Sequence, residues 1–436
     1  MDVQQYDEAI VTYVDDDGYP FSYPTGFKDE NGKIILEKTN LREGTYVSIL
    51  FNHITPLPSG GYTDRRYAVL WGRLVFEGGR AVLNPSRSYG WDEKKIHFVQ
   101  YCEESVPRAK RYLRMLEEKI GRPVKPAISA FQLFFRATRL PFVIATIVPV
   151  LLGAAVAAYH GFLDWILLLL TLIGAVSIHL GLNMANDYFD TKLGADEVNK
   201  TPTPFSGGSR VMQYGLLSPS AVISISSLFY VIGIGIGLYL AFTRGLIPIL
   251  SLLLLGFLLS FFYTSPPLKL AYRGVGELAV GTGFGPVIVL GSYYVQAQSF
   301  HAAPLLASIP IGILIALILY INEIPDREAD ARAGKNTIVV RLAEKNKVMK
   351  LYKILLAAVY ASIILAVVTA YAPVTTLLAL LTIPMAVKTF KMINQSYGNP
   401  YFMIPGLASN IKLATVTGIL LTVGYAIPAA AQMIIP

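Results

Sequence analysis

Residues 165–190 read WILLLLTLIGAVSIHLGLNMANDYFD. Trp165–Asn186 carries no Lys, Arg, Asp or Glu. As a helix rising 1.5 Å per residue it extends roughly 33 Å, enough to cross a hydrocarbon core of ~30 Å. Asp187 and Asp190 then arrive where such a helix would leave the hydrocarbon. Charge at that depth is costly and marks functional positions, so the stretch predicts a membrane-spanning helix with chemistry at its end. Working outward, the uncharged stretches Leu140–Tyr159, Val211–Thr243, Gly245–Leu268, Leu278–Phe300, Ala302–Asn322 and Leu413–Pro436 supply further crossings. Ile354–Val387 would be roughly 51 Å long as one helix, too long for one pass. Two shorter helices turning near Tyr371-Ala372-Pro373 are expected there, giving nine crossings.

Composition agrees. Of 436 residues, 53% are apolar and 15% charged, with a mean hydropathy of +0.49, which excludes an ordinary soluble enzyme. A high apolar fraction, no short repeat and a single cysteine, Cys102, exclude disordered, collagen-like and disulfide-scaffold chains. Charge is uneven: residues 1–139 hold 20 Lys+Arg and 18 Asp+Glu, residues 140–436 hold 17 and 11. A polar front precedes a membrane back. The start, MDVQQYDEAIVTYVDDDGYP, lacks a basic segment followed by an apolar core and does not read as a signal peptide.

With nine crossings, the even-numbered connections share a side with the N-terminal domain. They hold Lys192, Lys200 and Arg210, then Lys269 and Arg273, then eight basic residues from Arg327 to Lys353, then Lys388, Lys391 and Lys412, whereas the other side holds only Arg244. By the positive-inside rule the front domain and these loops are expected in the cytoplasm and the C-terminus outside.

Two acidic groups end the second and sixth crossings. In the first, Asn183, Asp187 and Asp190 stand at i, i+4, i+7; in the second, Asn322, Asp326 and Asp330 stand at i, i+4, i+8. Each set lines one helical face. Like-charged carboxylates crowded together repel unless a cation sits among them, and oxygen-only ligands favour hard ions such as Mg²⁺. The groups lie 139 residues apart, each after the second helix of a four-helix run, so a weak internal repeat with a ligand at its interface is expected. Solvated loop charges are the bland reading, and two matching clusters weigh against it.

Between them, Tyr263-Thr-Ser-Pro-Pro-Leu-Lys269 and Tyr272-Arg273 offer Lys269 and Arg273 to an anion, or to lipid head groups. Phe205-Ser-Gly-Gly-Ser-Arg210 places a glycine pair before a basic residue, compatible with a phosphate-cradling loop. His160, His179 and His301 show no metal-ligand spacing and read as structural.

Together, Asn186-Asp187-Tyr-Phe-Asp190, Tyr263-Thr-Ser-Pro-Pro-Leu-Lys269 and Asn322-Glu-Ile-Pro-Asp326-Arg-Glu-Ala-Asp330 resemble the motifs of the UbiA superfamily of membrane prenyltransferases, over roughly residues 131–436. The stretches 186–196, 207–219, 272–277 and 291–296 resemble its menaquinone branch, the 1,4-dihydroxy-2-naphthoate polyprenyltransferases. Asn322-Glu323-Ile-Pro-Asp326 departs from the commoner Asn-Asn-x-Arg-Asp, which bears on the acceptor. The resemblance implies an all-α bundle of nine transmembrane helices with a central cavity. Asp187, Asp190, Asp326 and Asp330 would hold Mg²⁺, and together with Lys269 and Arg273 they would carry catalysis. Asn183, Asn186, Arg210, Tyr263 and Asn322 would bind substrate. The implied partners are a polyprenyl diphosphate, an aromatic acceptor and the bilayer, with no nucleic acid. The implied reaction is transfer of the polyprenyl group, with loss of carbon dioxide when the acceptor is the naphthoate. Another quinone precursor or a lipid glycerol is the alternative acceptor, and a transporter is the alternative class.

Residues 1–105 alternate polar and apolar over short runs broken by turns, such as Ala9–Val14, Asp17-Gly18-Tyr19-Pro20, Tyr46–Phe51 and Tyr67–Phe76, and read as a small antiparallel barrel. They resemble flavin-binding split barrels of the pyridoxamine-phosphate-oxidase type. That resemblance makes FMN one reading, with Lys38, Asn40 and Arg42 for its phosphate, and a barrel without cofactor the other. Residues 106–137, helical and amphipathic from Pro107, are expected to link this domain to a membrane domain spanning 138–436.

Overall fold

The computed structural model describes residues 3–30, 33–37, 39–56, 62–124, 128–193, 199 and 202–434. The chain divides into two units, Met1–Arg122 and Pro123–Pro436.

In the first unit seven strands form one antiparallel sheet: β1 (Glu8–Val14), β2 (Pro20–Thr25), β3 (Phe27–Glu30), β4 (Lys33–Leu36), β5 (Tyr46–Pro56), β6 (Tyr62–Glu77) and β7 (Arg80–Asp92), in the order β2-β1-β5-β6-β7-β4-β3. The strand alternation read from the sequence places Val47, Ile49 and Phe51 of β5 in one buried core with Val11, Leu70, Leu74 and Leu83. The ring of Phe27, on an edge strand, packs 4.9 Å from that of Phe51 in the middle of the sheet, so the sheet curls on itself as a β half-barrel. The Asp15 carboxylate accepts the N–H groups of Asp17 at 3.1 Å and Tyr19 at 2.8 Å, which makes the β1–β2 turn.

Helix α1 (Phe98–Ile120) belongs to this unit. The sequence reading starts the amphipathic helix at Pro107. In the structure Pro107 lies inside α1, which begins nine residues earlier, at Phe98, because Tyr101 packs 5.0 Å from the Trp91 ring and shares a 2.6 Å hydrogen bond with the Tyr67 hydroxyl.

The second unit is helical. After α2 (Ala130–Ala137), started by a Ser129–Gln132 capping box, come α3 (Ile144–Tyr159), preceded by the 3₁₀ turn Leu140–Val143, α4 (Trp165–Lys192), α5 (Pro219–Arg244) and α6 (Leu246–Phe261). Then follow α7 (Gly276–Ala297), interrupted by a π turn at Gly283–Val287, α8 (Ala302–Arg332), α9 (Ile338–Leu342), α10 (Lys345–Val368), α11 (Val374–Ser396) and α12 (Ile404–Ile434). Among the described residues eight helices are long and apolar enough to cross a membrane: α3 with its leading turn, α4, α5, α7, α8, α10, α11 and α12.

The expected crossing missing from these eight is the fourth, Gly245–Leu268, which corresponds to α6. It is apolar but only 16 residues long, roughly 24 Å, because the chain turns at Phe262 rather than running on to Leu268. The third crossing starts at Pro219 rather than Val211, since Ser218 caps it by accepting the Ala221 N–H at 3.2 Å. The long apolar stretch 354–387 divides as expected, with α10 ending at Val368 and α11 starting at Val374.

Large apolar side chains point outward from these helices, among them Trp165, Val231, Phe242, Ile247 and Val368, each more than two-thirds exposed. In water such a surface would aggregate; in lipid it is solvated. The chain is an integral membrane protein. Its interior is held by packing and by polar groups that find partners, as the absence of water inside a bilayer requires. The Tyr352 hydroxyl donates to Asn410 at 2.8 Å, Asn410 donates to the Leu317 carbonyl at 3.0 Å, and Ser292 donates to the Val150 carbonyl at 2.7 Å.

Candidate active site

Both acidic motifs are helical because α4 and α8 continue past their apolar stretches, to Lys192 and Arg332. The i, i+4 spacing therefore becomes a real face on each helix. The two faces meet. Asp190 Oδ2 lies 3.6 Å and Asp330 Oδ1 3.9 Å from the same atom, Lys335 Nζ.

The loop after α4 ties the remaining carboxylates. Asp326 accepts Asn199 Nδ2 at 2.8 Å and the Gly207 N–H at 3.1 Å, while Asp187 accepts the Ser209 N–H at 3.2 Å. Gly207 and Gly208 both adopt positive φ, and a Cβ at Gly207 would stand 2.7 Å from Asn199 Nδ2, so the loop needs glycine to bring its N–H groups to the acids. These N–H groups, expected to cradle phosphate, face the carboxylates instead. Asp187 also pairs with Arg139 at 3.1 Å, and the Tyr272 hydroxyl donates to Asp190 at 2.8 Å. Burial, then the neighbouring Asp190, hold the Tyr272 phenol well above its ordinary pKa, so it stays a neutral donor. Burial opposes the charge on Lys335, but Asp190 and Asp330 outweigh it and hold the ammonium well above its ordinary range.

A cavity lined by polar and charged side chains lies between the two helix ends. Of the residues singled out in the sequence, Asn183, Asn186, Asp190, Tyr263, Asn322, Asp326 and Asp330 line it together. Asp187 and Arg210 are buried beside it, Arg210 donating to the Asn199 carbonyl at 2.8 Å. Lys269 and Arg273 are not among its lining residues: Lys269 stands 5.8 Å over the Tyr272 ring, and the exposed Arg273 donates to the Pro267 carbonyl at 3.1 Å. The cations in the cavity wall are Arg139 and Lys335, which sequence reasoning gave no role. Their only signals were position, one just before the first crossing and the other five residues after Asp330. In the first unit Asn40 and Arg42 are exposed, and Lys38 lies outside the described residues.

An apolar cavity adjoins the polar one, the two sharing His179, Leu182, Tyr263, Val280 and Phe284 as lining residues. His179, expected to be structural, lines both cavities and shares a 2.7 Å hydrogen bond with the Thr146 hydroxyl. An anion-and-cation site beside an apolar cavity suits a ligand with a charged head and a hydrocarbon tail.

Residues 146–404 match the model of the UbiA prenyltransferase family. The chain belongs to that family. It is therefore a membrane prenyltransferase. Across 308 residues it is 30% identical to the 1,4-dihydroxy-2-naphthoate octaprenyltransferase of Bacillus subtilis, covering 70% of this chain and 96% of that one. Identity is 29% over 315 residues with the enzyme of the same name from Escherichia coli, covering 71% and 97%. The fold is similar to the apo structure of a UbiA homolog from Aeropyrum pernix, with a TM-score of 0.51, 18% identity and coverage of 65% of this chain and 98% of that one.

Carboxylates suit Mg²⁺, which takes oxygen ligands at 2.0–2.1 Å, and the buried Asn186 Oδ1 has no hydrogen-bond partner among the described residues. The donor set thus fits a family Mg²⁺. Among the described residues no three carboxylates already form a metal-binding group; N–H donors and cations engage them instead.

Proposed function

We propose that the protein transfers a polyprenyl group from a polyprenyl diphosphate to 1,4-dihydroxy-2-naphthoate with loss of carbon dioxide, in menaquinone biosynthesis. The observation that carries the reading is the convergence of Asp190 and Asp330, one from each acidic helix, on a single point in a cavity that adjoins an apolar chamber. The names of the relatives at about 30% identity support the acceptor.

Asp187, Asp190, Asp326 and Asp330 would hold Mg²⁺, with Asn183, Asn186 and Asn322 binding substrate beside them. Bound there, Mg²⁺ neutralises the diphosphate and weakens its bond to the allylic carbon. Arg139 and Lys335 add positive charge where negative charge grows as the leaving group departs. The tail lies in the apolar chamber, whose walls keep water from the electron-poor carbon. The naphthoate ring attacks that carbon at its carboxylated position. The carbon–oxygen bond to diphosphate breaks, and carbon dioxide leaves as the ring regains aromaticity. The membrane reading is nine crossings with α6 as the short one, the acidic site and the front domain in the cytoplasm and the C-terminus outside. The sixteen-to-one division of basic residues between the two sides supports that orientation.

The test is the purified full chain with Mg²⁺, labelled geranylgeranyl diphosphate and a panel of aromatic and glycerol acceptors. Diphosphate and labelled carbon dioxide released from carboxyl-labelled dihydroxynaphthoate is the expected outcome. No diphosphate release with any acceptor refutes the proposal.

A further inference from the structure

We propose that Lys335 is a resident cation: its ammonium holds the place of the metal between the two acidic helices while the site is empty, and moves onto the diphosphate when metal and donor arrive. This rests on the reading of the polar cavity as the Mg²⁺–diphosphate site.

The geometry around Nζ is that of a placeholder. It stands 3.6 Å from Asp190 Oδ2 and 3.9 Å from Asp330 Oδ1, beyond the 2.7–3.2 Å of a formed N–H···O bond to either. The charge is suspended between the two carboxylates rather than clasped by one. Tyr272 makes a third wall, its ring 5.6 Å from Nζ and its hydroxyl bound to Asp190 at 2.8 Å. The site is closed, with the Lys335 side chain only 14% exposed.

The backbone around Lys335 is pinned, which leaves the side chain as the moving part. The Lys335 N–H donates to the Asp330 carbonyl at 2.8 Å, the Asn336 N–H to the Tyr272 carbonyl at 3.2 Å, and Thr337 caps α9 through the Val340 N–H at 3.3 Å. Beyond Cα the four-carbon stem has the freedom to carry the ammonium a few ångströms within the cavity wall.

Electrostatics then dictates the exchange. Carboxylates brought together without a counter-ion repel, and Lys335 stands within 4 Å of a carboxylate from each acidic helix. A Mg²⁺ ligated at 2.0–2.1 Å by the same two carboxylates would sit nearer each oxygen than the ammonium does, at 3.6 and 3.9 Å. It would also repel that ammonium. Displaced from between the acids, Lys335 finds its nearest new anion in the diphosphate bound in the same cavity.

The hypothesis makes two predictions of opposite sign for Lys335→Met. Metal alone competes with Lys335, so the variant should bind Mn²⁺, a spectroscopic probe for Mg²⁺, about tenfold or more tightly than the parent. The donor gains Lys335, so with saturating Mg²⁺ the variant should bind geranylgeranyl diphosphate about 10- to 100-fold more weakly, the loss of one charge-assisted hydrogen bond. In chelator the variant should melt earlier than the parent, and Mn²⁺ should restore it. Lys335→Arg, which keeps the charge, should stay near the parent in both affinities. Lys335→Gln, which keeps a polar end, repeats both measurements should the methionine variant fail to fold. A neutral variant that binds Mn²⁺ no more tightly than the parent, or loses metal and donor affinity together, makes Lys335 a structural cation and overturns the inference. A parent that binds neither Mn²⁺ nor donor instead overturns the reading of the cavity, so the two failures are distinct.

Discussion

Asp190→Asn isolates one charge in the centre of the site. The amide keeps an oxygen to accept the Tyr272 hydroxyl, now at 2.8 Å, so the change falls mainly on the 3.6 Å contact with Lys335. At that distance and an effective dielectric of about 20, two unit charges attract by about 4.6 kcal/mol. Part returns because the carboxylate no longer has to be desolvated, and the lysine keeps Asp330 at 3.9 Å, worth about 4.3 kcal/mol on the same scale. The net loss should therefore sit at the low end of the 3–5 kcal/mol for breaking a buried pair, about 3 kcal/mol. If the transition state depends on that carboxylate to the same extent, turnover falls about 150-fold. The assay is release of labelled diphosphate by the purified full chain across a Mg²⁺ titration, beside thermal unfolding in chelator. Turnover within a factor of three of the parent at every Mg²⁺ concentration would falsify the claim that the two acidic helices act on one ligand.

Further outcomes follow from other parts of the molecule. Arg139→Gln removes the 3.1 Å partner of Asp187 and a cation from the cavity wall; the Michaelis constant for the prenyl diphosphate should rise about 10- to 100-fold, read from steady-state kinetics. Gly291 lines the apolar cavity, and a Cβ there meets nothing nearer than Leu252 Cδ1 at 4.0 Å, so Gly291→Phe should fill the chamber and shift use from a twenty-carbon toward a ten-carbon donor in competition assays. In the first unit, hydrogen bonds from Arg65 hold the Glu93 carboxyl below its ordinary pKa, the shortest being a direct Arg65–Glu93 ion pair at 2.5 Å. The unfolded state then binds the proton first on acidification, so this contribution is present above the ordinary carboxylate range and is lost as pH falls through the depressed value. Thermal melts of the full chain between pH 6 and pH 3 should show it, and Arg65→Met should flatten that dependence.

Much of the architecture is a local property of the chain. Apolar runs near twenty residues mark spans because hydrocarbon demands it, and α3, α4, α5, α7 and α8 fall on stretches visible in the sequence. The acidic faces were legible too, since α4 and α8 carry the 3.6-residue period across their motifs. Helix starts were less so. Pro107 and Val211 were read as beginnings, but ring packing of Tyr101 on Trp91 and the Ser218 cap decided where α1 and α5 start.

Sequence by itself determined a membrane helical bundle, a β-rich front domain and two carboxylate-bearing helix ends, because burial in lipid, strand alternation and helical spacing are each set by near neighbours. Only the tertiary structure decided which groups answer those carboxylates. Lys335 reaches Asp190 from 145 positions away, Arg139 reaches Asp187, and the loop N–H groups of Gly207 and Ser209, expected to cradle phosphate, donate to Asp326 and Asp187. Lys269 and Arg273 had the right charge and the right loop, yet the turn they occupy directs them away from the cavity lining. A charge finds its partner through distance in space, and in this bundle that distance depends on how α4, α8 and the loops between them pack.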